Sequence, residues 1–225
     1  MEEPRRELHL FFAVENSTAV ILYRAKSSLY RLISWDTKGD TFFLGQWIKT
    51  RVFEPACAVS ADGKYFVYSA MHRGTPDVFT ALSIAPYFTA LEFKTGLTSF
   101  DAGGYFVDKD TVTFHHTMSD GGTIQLDCGL RQDTDWKNWS HCRNAKDAGI
   151  SYHEQIALRE SVQSKRGKIT SLLDCYECVG SKLFRKTAEG LELLLDCSFM
   201  QFEAIKAPYD GCSPVRPERW HSGSP

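Results

Sequence analysis

Apolar and aromatic residues recur along this chain in runs of roughly five to nine, and the runs end at Gly, Asp, Asn or Lys-Gly positions, the punctuation of short strands. LYRLISWD (Leu29 to Asp36) and TFFLGQWI (Thr41 to Ile48) flank TKGD, where Gly39 is expected to take the positive φ of a tight hairpin turn. CAVS and KYFVYSA are separated by Ala61, Asp62 and Gly63, a second hairpin signal, since Asp closes a local turn and Gly accepts the left-handed conformation. Asp77 to Ala85 and Tyr87 to Lys94 meet across Pro86, which cannot donate to a ladder and belongs at a turn or edge. Gly103 to His116 repeats the order strand, acidic turn, strand, and Thr123 to Leu130 adds another strand. Leu29 to Trp47 and Lys182 to Ser198 echo each other as aromatic-basic strand, Gly-bearing turn and apolar strand.

One segment carries a helical signal. In YHEQIALRESVQ (Tyr152 to Gln163), Ile156, Leu158 and Val162 form a narrow stripe and Ser151 is a candidate cap, although HEQIALRES also alternates like a strand. The pattern predicts an all-β chain of β-propeller-like blades of antiparallel strands, incomplete or open, with at most one short helix. A single domain is expected over 1–207, followed by an irregular, Pro-, Gly- and Ser-rich tail over 208–225.

VSADGKYFVYSA resembles the Ser-Pro-Asp-Gly turn of TolB-type and WD40-like propeller repeats, with Ala61 where proline is usual. A wider stretch, from Ala19 to Phe114, is similar to a group of uncharacterised, mainly bacterial proteins of this size. The resemblance implies a fold and assigns no functional residue. At about 40–50 residues per blade, 225 residues supply four or five blades at most. Such a chain can close as a small propeller, stay an open arc capped by its helix and tail, or close against a second copy. An open arc leaves sheet edges and apolar faces that something must cover.

Charge narrows the function classes. Twenty-six Lys and Arg balance 28 Asp and Glu, so no global field draws nucleic acid or an anionic surface. The basic stretch QSKRGK (Gln163 to Lys168), with the tryptophan-bearing segment Asp133 to Arg143, is the weaker nucleic-acid candidate. Acids and a proline near the N-terminus do not read as a secretory signal, and no apolar run approaches the roughly 20 residues of a membrane span. The expectation is a cytoplasmic protein with no membrane association. Seven cysteines at irregular spacing read as reduced thiols.

No Gly-x-Ser-x-Gly elbow, phosphate-binding loop or cofactor motif appears, so no catalytic residue and no cofactor is assigned. Cys175 and Cys178 have the C-x2-C spacing of a zinc clamp but lack a second close pair, which makes them weak metal candidates. His72 and Arg73 fall on a loop after a blade strand, and His115 and His116 diverge at a strand end. Trp136 and Trp139 stand among polar residues, where an exposed indole would serve recognition. These six residues are the candidate ligand or partner contacts. Two functional readings follow: a protein-interaction or scaffold module that binds a protein partner or itself, and a hydrolase-type enzyme with polar side chains converging on one loop face of the propeller.

Overall fold

The computed structural model describes residues 6–72, 77–97, 102–113, 122–134 and 152–212. β1 (Glu7–Phe12), β2 (Thr18–Lys26), β3 (Leu29–Asp36) and β4 (Thr41–Ile48) form an antiparallel meander in chain order. β5 (Ala58–Val59), β6 (Tyr65–Met71), β7 (Val78–Ile84) and β8 (Ala90–Leu97) repeat it. β9 (Tyr105–Phe106), β10 (Thr111–Thr113), β11 (Thr123–Gln125) and β12 (Arg131–Asp133) form a third sheet in the order β11-β12-β10-β9, in which β10 and β12 run parallel. Helices α1 (Tyr152–Lys165) and α2 (Thr170–Leu173) then lead into a three-stranded meander of β13 (Tyr176–Val179), β14 (Lys182–Thr187) and β15 (Gly190–Asp196). The fold is all-β with open blades. Helix α1 lies where the helical stripe predicts it; α2 is an addition, a single turn too short to leave a periodic signal.

β2 explains how the blades stack. Val20 and Leu22 point to one side, where they join Phe66, Tyr68 and Phe79 of the second sheet. Ala19, Ile21 and Tyr23 point to the other and join Trp35, Leu183 and Cys197. A strand buried on both faces reads as a continuous apolar run, as AVILY (Ala19 to Tyr23) does. A third cluster sets Tyr65, Val67 and Leu82 against Tyr105, Phe106, Val112 and Val162 of α1. In space the order is therefore last sheet, first sheet, second sheet, third sheet. The first strands of these sheets are neighbours, β13 by β1, β1 by β5 and β5 by β9, and they line the inner edge of the arc.

Two irregular segments tie the arc together. On the inner edge, the chain leaving α1 accepts backbone hydrogen bonds from Phe12 N to Gly167 O (2.8 Å) and from Val59 N to Arg166 O (3.3 Å), bridging β1 and β5. Gly167 has φ +82°, and a Cβ there would lie 2.6 Å from the Val59 side chain and 2.8 Å from the Phe12 carbonyl, so glycine alone permits this approach. At the outer edge the C-terminal segment runs from β4 to the second sheet. Glu203 pairs with the buried Arg31, Gln46 Nε2 donates to Ile205 O (3.0 Å), and Cys212 N donates to Ala90 O (2.8 Å). Tyr209 Oη donates to Thr89 O (2.7 Å), so the start of the irregular tail is docked.

The turns follow their sequences with one exception. At the second hairpin Gly63 takes φ +77°, and Asp62 Oδ1 accepts hydrogen bonds from Ser60 Oγ (2.6 Å) and Lys64 N (3.0 Å). In TKGD the positive φ (49°) belongs to Asp40, not Gly39. Asp visits this region more readily than most residues. Its carboxylate is held at 2.7 and 2.8 Å by Arg185 Nη2, which ties the turn to the last sheet.

Candidate functional site

Of the candidate contacts, His72 closes β6 with its ring against Phe79 and Phe93, centroids 5.0 and 5.7 Å away. Arg73, His115, His116, Trp136 and Trp139 lie outside the described residues. The basic stretch after α1 turns inward: Arg166 Nη1 donates to Pro55 O (2.6 Å), and Lys168 Nζ donates to Leu10 O (2.6 Å) while lying 3.6 Å above the Phe11 ring. Cys175 donates from Sγ to Ser171 O (3.3 Å). Cys178 stands opposite Leu183 in the ladder; although the residue as a whole is exposed, desolvation of its thiol pushes it up to about 11.

The described residues instead gather polar side chains at the inner edge, where β1, the 3-10 turn Glu54–Ala56, the end of α1 and the chain beyond it line an open pocket of about 440 Å³. His9, Glu54, Gln163, Lys168 and Thr170 line it. Glu7 and His9 are two apart on β1 and share a face, as strand periodicity requires. Across the sheet, Glu7 is in register with Arg24 and Arg24 with Tyr30. That row orients the acids: Arg24 Nη1 donates to Glu7 Oε2 and Tyr30 Oη to Glu54 Oε1, both at 3.1 Å. His9 Nε2 lies between the two carboxylates, 3.8 Å from Glu7 Oε2 and 3.7 Å from Glu54 Oε1. Both separations are too long for a hydrogen bond, and the nitrogen is buried without a partner.

Burial is the largest influence on His9 and lowers its pKa below the usual imidazole value; Glu54 pulls in the opposite direction and Lys168 reinforces the fall. Burial also brings Lys168 down to about 8. Neither His9 nor Glu54 carries a motif. Their juxtaposition depends on the crossing from the first sheet to the second, and the alternation of Glu7 and His9 on one strand face was the only signal of it in the sequence.

A second surface lies at the far end of the arc. β13 to β15 press Leu183 and Leu195 onto the first sheet, and their opposite face carries Val179, Phe184, Leu191 and Leu193. Val179, Leu191 and Leu193 are 53, 49 and 51 % exposed, high for large apolar side chains sharing one face. Cross-strand register places Glu177 beside Phe184 and Lys186 beside Leu191, so charges of both signs intersperse the patch. β15 is the outermost strand of its sheet.

Compared with protein-family models, curated proteins and solved structures, the chain matches none. No described helix is long and apolar enough to cross a membrane.

Proposed function

We propose that the protein is an interaction and scaffold module that self-associates through the outer face of β13 to β15. The supporting observation is the apolar face of Val179, Phe184, Leu191 and Leu193. Each of the three junctions between neighbouring sheets buries apolar side chains, and among the described residues this face lies at one of the two ends of the series. A second copy is the occupant that fits. A twofold interface meets itself and must be self-complementary; an apolar face satisfies this, and Glu177 with Lys182 and Lys186 lets charges of opposite sign face each other around it. β15, which has no strand partner on its outer side among the described residues, adds backbone groups along the edge of the same sheet. The Ser-x-Asp-Gly turn supports the reading as a propeller-like module.

Sedimentation velocity over a concentration series tests the proposal. The wild-type chain should show reversible association, and Leu191→Asp with Leu193→Lys should remain monomeric with unchanged far-ultraviolet circular dichroism. A wild-type chain that stays monomeric at every concentration, or a double variant that associates equally well, overturns it.

A further inference from the structure

We infer that Glu7, His9 and Glu54 form a binding site for a divalent transition-metal ion, at the inner edge and away from the proposed association face. The three residues present one imidazole nitrogen and two carboxylate oxygens within 4.8 Å of one another. Ligands held about 2.0–2.2 Å from a zinc-sized ion lie no more than about 4.4 Å apart; the separations of 3.7 and 3.8 Å from His9 Nε2 meet that limit, and the ligand oxygens of the two acids, within 4.8 Å of each other, need at most a small side-chain adjustment. The same distances exceed hydrogen-bonding range, so the arrangement leaves the buried nitrogen without a proton partner. An ion between the three groups would satisfy it.

Two further features favour a ligand set over an ion-pair cluster. Arg24 donates to Glu7 Oε2 and Tyr30 to Glu54 Oε1, the same two oxygens that face His9 Nε2, and these bonds fix the carboxylates as residues that orient metal ligands do. The pocket of about 440 Å³ reaches His9 and Glu54, which gives an ion and its remaining waters access. The donor set selects the metal: an imidazole with carboxylates suits zinc, manganese, iron or cobalt, whereas magnesium and calcium prefer oxygen alone. Lys168 opposes the ion's charge but is no competitor for the ligands, since its ammonium is engaged by Leu10 O and the Phe11 ring.

Cobalt(II) is the probe, because its visible bands report coordination and its thiolate charge-transfer bands reveal cysteine ligation. In a Cys175→Ser, Cys178→Ser background the full chain should bind one cobalt ion with visible bands and no thiolate band. His9→Ala or Glu54→Gln should weaken binding at least tenfold, and Tyr30→Phe should weaken it by about 10–100-fold. Circular dichroism of each metal-free variant verifies the fold. Failure to bind cobalt, binding unaffected by His9→Ala and Glu54→Gln, or a persistent thiolate band would each overturn the assignment. The association test above is unaffected by any of these results, because its variants lie on β15.

Discussion

Gly167→Ala probes the tie between β1 and β5, and its cost can be worked from the structure. Alanine at φ +82° incurs about 1–2 kcal/mol of backbone strain. Its Cβ would also stand 2.6 Å from Val59 Cγ1, 2.8 Å from Phe12 O and 3.0 Å from Phe12 N. Two of those atoms are strand backbone and cannot yield, so the segment has to lift away. Lifting breaks the bonds from Phe12 N to Gly167 O and from Val59 N to Arg166 O, each worth about 0.5–1.5 kcal/mol net. The expected loss is about 2–5 kcal/mol, large against the roughly 5–15 kcal/mol that stabilises a typical domain. Gly129 supplies the control: its φ is +92°, yet nothing lies within 4 Å of a Cβ there. Gly129→Ala should therefore cost only the strain, about 1–2 kcal/mol. Urea unfolding followed by the fluorescence of the buried Trp35 and Trp47 measures both. Equal midpoints and slopes for the two variants would refute the reasoning, since the close approach at Gly167 would then carry no energy.

Further predictions concern packing and pH. Leu183 is fully buried between the last sheet and the first, so Leu183→Ala should destabilise the protein by about 2–5 kcal/mol; a loss below about 1 kcal/mol in the same urea assay would contradict this packing. His9 has a folded-state pKa below 6.5, chiefly through burial. Between that depressed value and 6.5 the unfolded chain binds a proton that the folded chain refuses, so this contribution to stability declines as pH falls through 6.5. With EDTA present, His9→Gln should flatten the acid limb of the stability profile; an unchanged slope would show that His9 does not contribute.

The hairpins were legible because their chemistry is local. Asp62 and Gly63 lie between alternating runs, and the structure gives the turn the positive φ that Gly63 predicts. Gly39 shows where local reasoning stops: Arg185, far along the chain, holds Asp40, and it is Asp40 that adopts the left-handed conformation. Ala19 to Tyr23 stands out in the sequence only as a short apolar run, and its burial on two faces is apparent only once the last sheet is seen to pack on the first. QSKRGK read as an exposed basic stretch, whereas Arg166 and Lys168 satisfy backbone carbonyls at the inner edge. The polar pocket was illegible for the same reason. Glu54 follows a strand that ends at Ile48, and only the crossing between sheets carries it to His9. The apolar outer face stayed hidden because LELLL reads as an ordinary strand until the sheet beyond it proves to be missing among the described residues.

Hydrogen–deuterium exchange at low and high protein concentration tests self-association through the last sheet most directly. The outermost strand should be the place where a second copy gives new protection. The account predicts that amides of 190–196 exchange more slowly at high concentration, while those of β2 and β6 remain unchanged. Exchange across 190–196 that is independent of concentration would contradict it.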